Sequence, residues 1–118
     1  MKLSADPTFG GDSAIANPED LLVAALVSCH FLSYAALCAR RQIVLVSYED
    51  DAIGKMEMSA GKIRFTDVLL GPRAVIASGD LELAKKLHEN AHVECFIASS
   101  VNFPVRHEAV VVFQDSAK

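Results

Sequence analysis

The chain has 118 residues, 52% hydrophobic and 22% charged, with a net charge of −4. That length is one domain, residues 1–118, and the negative balance, with no basic run longer than Arg40-Arg41, excludes the phosphate-binding surface that a nucleic-acid partner requires. Met1–Pro7 lacks the apolar core of a signal peptide, and Leu21–Leu37, interrupted by Ser28, His30, Ser33 and Tyr34, reads as too short and too polar for a membrane span, so a cytoplasmic protein is expected.

Residues 1–16 read as an irregular lead-in, with turn formers at Pro7, Gly10-Gly11 and Asp12-Ser13 and Phe9 as its large anchor. A long helix starts at Asn17, a strong N-cap, with Pro18 in the first helical position, where a missing N–H costs nothing. Glu19 and Asp20 complement the helix dipole, and the run continues to Arg41 without Gly or Pro. Its apolar residues cover nearly the whole circumference, which predicts a buried central helix.

Residues 43–58 and 62–76 read as two strands joined at Ala60-Gly61. That turn sets Met58 opposite Ile63 and Met56 opposite Phe65 on one face, and Glu57 opposite Arg64 on the other, with Gly54 as the expected bulge. A second helix is predicted from Asp80 to about Cys95, with Glu82 and Lys86 as an i,i+4 pair. The last predicted strand, Val105–Gln114, puts Val105, Ala109, Val111 and Phe113 on one face. The order α-β-β-α-β with antiparallel pairing is an α+β domain. The apolar excess in so small a chain implies surface buried against a second copy, as in a homodimer.

Three cysteines in a cytoplasmic chain are not a structural disulfide framework. Cys29 and Cys38 lie nine positions apart on the same helix, about 180° around it, so they cannot pair there. Cys38, set among Ala35, Ala36, Leu37 and Ala39, reads as core. Cys29 and Cys95, taken alone, read equally as core thiols. His88, His92 and Cys95 are spaced i, i+4, i+7 on one helical face, a spacing that suits a metal, with Cys29 as the candidate fourth ligand. The same face also carries Leu81, Ala84 and Ala91, so core histidines are the alternative.

The run Asn17-Pro18-Glu19 through Ser28-Cys29-His30, with a cysteine ten residues after the glutamate, resembles the signature of the osmotically inducible protein C / organic hydroperoxide resistance family. Phe9-Gly10-Gly11-Asp12 ahead of it is similar to that family too. Ala91-His92-Val93-Glu94-Cys95-Phe96-Ile97-Ala98 resembles the second-cysteine run of one branch, 66 residues after the first cysteine. Many relatives instead carry Cys-Pro there. The resemblance covers residues 8–113.

It implies an intertwined homodimer and a thiol-dependent peroxidase acting on organic hydroperoxides in oxidative stress defence. Cys29 is then the peroxidatic cysteine and Cys95 the partner that closes a disulfide, with an external thiol or dithiol as reductant and no cofactor or metal. In the family an arginine stabilises the thiolate and a glutamate, matched by Glu19, orients it. No arginine precedes Arg40 here, so the cation is left to His30, His92 or an arginine of the other subunit. Phe31, Leu32 and Phe96 are the candidate apolar walls for an alkyl tail. A catalytically degenerate protein of the same fold, a small metal-binding module and a general thiol-binding protein are the alternatives.

Overall fold

The computed structural model describes Gly11 and residues 17–115; the lead-in turns and Phe9, Gly10 and Asp12 lie outside these. Its elements in chain order are α1 (Pro18–Arg40), β1 (Val44–Asp50), β2 (Ile53–Ser59), β3 (Lys62–Leu70), β4 (Pro72–Ser78), α2 (Leu81–Glu94), a single 3-10 turn at Ala98–Ser100, β5 (Val105–His107) and β6 (Val110–Phe113). The α+β class is as expected.

Both helices start where their caps predict. The Asn17 side-chain oxygen accepts from the Asp20 N–H at 2.8 Å, and that of Asp80 accepts from the Leu83 N–H at 3.1 Å. On α2, Glu82 pairs with Lys85 at 3.3 Å rather than with Lys86. By length and composition α1 would suffice to cross a membrane, contrary to the reading of its apolar stretch. It buries a single stripe, Leu26, His30, Tyr34 and Cys38, one residue per turn, while Leu32 on another face is 65% exposed. The all-round burial expected of it is therefore not met within one chain.

The two predicted strands form one long antiparallel ribbon, bent halfway. Ile53↔Leu69 and Asp50↔Pro72 share a single register across the bend. Asp50 accepts from the Gly71 N–H at 2.8 Å there, which breaks each predicted strand in two. The hairpin pairs Met58 with Ile63, Met56 with Phe65 and Glu57 with Arg64, as the turn predicts. The bulge falls between Lys55 and Met56, just after Gly54. Gly54 itself is required by close approach: a Cβ there would sit 2.8 Å from the Phe65 ring and 3.0 Å from Val23.

The last strand departs from expectation. It splits around Glu108-Ala109 into β5 and β6, which pair parallel to β3 and β4. A strand that returns after a crossover helix naturally enters parallel, and α2 is such a crossover between β4 and β6. Val105 and Val111 are buried, while Ala109 and Phe113 are exposed. The result is two three-stranded sheets, ordered β1-β4-β6 and β2-β3-β5.

Each sheet carries its own core, and α1 spans both. Leu26, Val68, Leu70 and Val105 form one, under β2-β3-β5. Tyr34, Cys38, Ile43, Ile76, Leu87 and Ala91 lie in the other, between β1-β4-β6, α1 and α2.

Candidate active site

Cys29 is half-buried in the middle of α1, and Cys95 is the buried C-cap of α2. The separation of 66 positions between them is closed by the packing of α1 on α2, which brings the two thiols within hydrogen-bonding reach of each other. Both are free. Cys38 is 1% exposed in the second core, as its alanine-rich surroundings predict. Burial raises its pKa, and a hydrogen bond with Tyr34 only partly offsets that.

The two clustered thiols are unlike. Burial is the largest single influence on Cys29 and opposes its thiolate. The backbone N–H of Ile97, the Cys95 thiol and the backbone N–H of Phe96 together outweigh it, so its pKa lies below the ordinary thiol value. Burial likewise dominates Cys95 and pushes its pKa up. The N–H groups of Ala98 and Ile97 help its thiolate, while Cys29 opposes it. The chain after α2 makes this difference. Cys95 leaves the helix in extended conformation, and the backbone then folds into the turn around Ala98–Ser100. That turn points the Ala98 N–H at Cys95 Sγ at 3.4 Å. Such donors belong to the backbone, so no side-chain motif announces them.

Glu19 is not part of this cluster. Ten residues before Cys29, it lies about 15 Å away along the same helix. Its Oε2 is buried without a hydrogen-bond partner beside a cleft of about 490 Å³, which Asp20, Ser28, Asp50 and Phe65 also line. Of the three predicted apolar walls, Leu32 and Phe96 share a groove of about 730 Å³ that runs along α1 to Arg40. Phe96 is 80% exposed there. Phe31 turns the other way, its ring 4.8 Å from that of Tyr48.

The metal reading is not met. Among the described residues no group of three or more His, Cys, Asp and Glu side chains is placed to hold a metal ion. His88 and Cys95 face different neighbours. The His88 ring is stacked on Tyr34 with centroids 3.7 Å apart, and its Nδ1 is 3.0 Å from His30 Nε2. His107 draws near this pair from β5, its ring 5.6 Å from His30 and 5.4 Å from His92. All four histidines of the chain thus adjoin the α1–α2 seam. Burial, with His107 and His92 adding to it, lowers the His30 pKa to about 4. Burial, with His30 and His107, lowers that of His88 to about 3. His30 is therefore neutral at pH 7 and is not the cation beside Cys29. The sequence reading did not pair His30 with His88. The signal was the Leu26, His30, Tyr34, Cys38 stripe on α1, which marks His30 as inward-facing.

The family profile of OsmC-like proteins matches residues 10–109. The chain belongs to the OsmC-like family. A comparison with curated proteins finds no match. Among solved structures, the chain is similar to an OsmC-like protein of unknown function from Vibrio cholerae O1, at 35% identity and a TM-score of 0.83, over 90% of this chain and 74% of that one. An organic hydroperoxide resistance protein from Legionella pneumophila shares the fold at 20% identity and a TM-score of 0.69, over 95% of this chain and 80% of that one. Another, from Elizabethkingia anophelis with thiocyanate bound, does so at 20% identity and a TM-score of 0.71, over 93% and 78%. The long helix carrying Cys29 and the helix end carrying Cys95 thus lie within an OsmC-like fold.

Proposed function

We propose that this chain is a cytoplasmic thiol-dependent peroxidase that reduces organic hydroperoxides in oxidative stress defence, with Cys29 as nucleophile and Cys95 as resolving thiol. One observation carries the reading. Cys29, with its lowered pKa, faces a second thiol across the α1–α2 packing, and backbone donors stand ready for its negative charge.

The chemistry runs in three balanced steps. The Cys29 thiolate attacks the O–O bond, giving a sulfenic acid and an alcohol once the departing alkoxide takes up a proton. The Cys95 thiol condenses with the sulfenic acid, forming the disulfide and releasing water. An external dithiol then reduces the disulfide by exchange and is itself oxidised. The Ile97 and Phe96 N–H groups stabilise the Cys29 thiolate. The groove between Leu32 and Phe96 suits the alkyl part of the peroxide.

Glu19 enters this scheme only across copies, because its own Cys29 is about 15 Å away along the helix. A homodimer supplies that arrangement. It would also cover the exposed apolar residues of α1 and the β2–β3 ribbon, among them Leu32, Ile53, Met58 and Ile63. The radius of gyration, 16.3 Å, fits a chain that packs against a second copy, since a compact monomer of this length would have about 13.5 Å.

The test is consumption of cumene hydroperoxide and of hydrogen peroxide with dithiothreitol as reductant. The wild type should turn over the organic peroxide faster. Cys29→Ser should be inert, and Cys95→Ser should lose multiple turnover. A wild type as inert as Cys29→Ser would instead indicate an OsmC-like fold without peroxidase chemistry.

A further inference from the structure

The α1–α2 seam holds two imidazoles that the peroxidase chemistry does not use. His30 and His88 are each 1% exposed and share a hydrogen bond of 3.0 Å. One turn along, the Tyr34 hydroxyl donates to the Ala84 carbonyl at 2.8 Å, and the Tyr34 ring stacks on His88 within 7° of parallel. The helices are thus joined by two polar rungs, His30–His88 and Tyr34–Ala84. An apolar seam would pack at least as well, and it would avoid leaving His30 Nδ1 and His88 Nε2 buried without partners. What directional rungs add is register, because they form at one setting of the helices and not at the next.

That setting decides whether the thiols meet. His30 follows Cys29 directly on α1. His88 precedes Cys95 by seven residues, two turns that bring both onto one face of α2, about 10 Å apart along the axis. We infer that His30 and His88 are positioning residues for the Cys29–Cys95 couple: a buried imidazole clasp sets the register of α1 on α2 at which the two thiols meet, and protonation releases it. The inference rests on the reading of Cys29 and Cys95 as a redox pair, but not on peroxide as the oxidant.

The clasp holds one proton between Nε2 and Nδ1. Protonating both rings sets two imidazolium N–H groups against each other across 3.0 Å in a buried seam, which breaks the bond. The groups that face it are Tyr34 on α1, Tyr48 on β1 (ring 6.4 Å from His88), His92 on α2 and His107 on β5. Glu89, on the exposed side of α2, pairs with His107 Nε2 at 3.2 Å.

The first test needs no peroxide. Glutathione disulfide oxidises the two thiols to the Cys29–Cys95 disulfide and yields two glutathione thiols, and the equilibrium constant at pH 7 is read by quenched alkylation. His88→Phe keeps the stack on Tyr34 but cannot bond His30, so the disulfide should become about tenfold less favoured. His88→Asn keeps an acceptor near the Nδ1 position and should stay within about threefold of wild type. A wild-type constant for His88→Phe overturns the inference. The second test uses the wild type alone: the ring protons of His30 and His88 are titrated by NMR in the reduced and the disulfide forms. Coupling is reciprocal, so a clasp that favours the disulfide must titrate at different pH in the two forms. Identical midpoints overturn the inference, even if His88→Phe fails to fold. If both tests succeed while hydroperoxide turnover is nil, the peroxidase reading falls and the clasp stands.

Discussion

The two halves of α1 bury different chemistry. The N-terminal half sets Val23, Leu26 and Val27 against Val68, Leu70 and Val105, a purely apolar contact. The C-terminal half sets His30, Tyr34 and Cys38 against α2 and the other sheet, through hydrogen bonds and stacked rings. Cys29 lies where the two meet. The apolar half contributes free energy in proportion to area and is indifferent to pH. The polar half contributes less net free energy but fixes direction, and it answers to protons.

The largest effect expected from breaking this contrast is in the apolar half. Leu26→Ala should cost about 3 kcal/mol in urea unfolding, since a fully buried leucine loses both transfer free energy and packing. The same loss is expected at pH 7 and at pH 5.

The polar half should show the opposite dependence. His30 and His88 have folded pKa values of about 4 and about 3, against an ordinary 6.5. The unfolded chain therefore binds more protons than the folded one between those values. Stability is fully present above the unfolded pKa of 6.5 and is lost as pH falls toward the folded values. Unfolding free energy should drop on the order of 4 kcal/mol from pH 7 to pH 5, about half of it from each histidine. His88→Phe should flatten that drop, measured by denaturant titration at each pH. A wild type equally stable at both would remove the pH contrast between the halves.

A smaller effect belongs to the start of α1, where Asn17→Ala should cost about 1 kcal/mol through the lost cap, at either pH. The smallest is at the surface. Arg106 binds Asp67 with two hydrogen bonds, 2.9 and 2.8 Å. Both groups face solvent, so Arg106→Gln should leave the unfolding midpoint unchanged within error.

The same contrast explains what the residues reveal unaided. The Asn17-Pro18 cap, the Ala60-Gly61 hairpin register and the Asp80 cap are local signals, and each is found where the pattern places it. The bend at Gly71 and the parallel entry of β5 and β6 depend on contacts between distant segments, which strand periodicity does not encode. Within the site, Cys29 and Cys95 are visible as motifs, and their approach follows from the α1–α2 packing. The Ile97 and Phe96 donors were not legible, because any sequence offers the same N–H groups. His88 was legible as inward-facing and misleading as a metal ligand, because a helical face shows which residues share a side and not which residue stands opposite.

The most direct measurement is peptide mass spectrometry after one equivalent of cumene hydroperoxide is added to the fully reduced protein, with free thiols blocked by alkylation. The expected result is loss of two hydrogens, a Cys29–Cys95 cross-linked peptide and alkylated Cys38. Oxidation at Cys38 in their place, or three alkylated thiols, would contradict it.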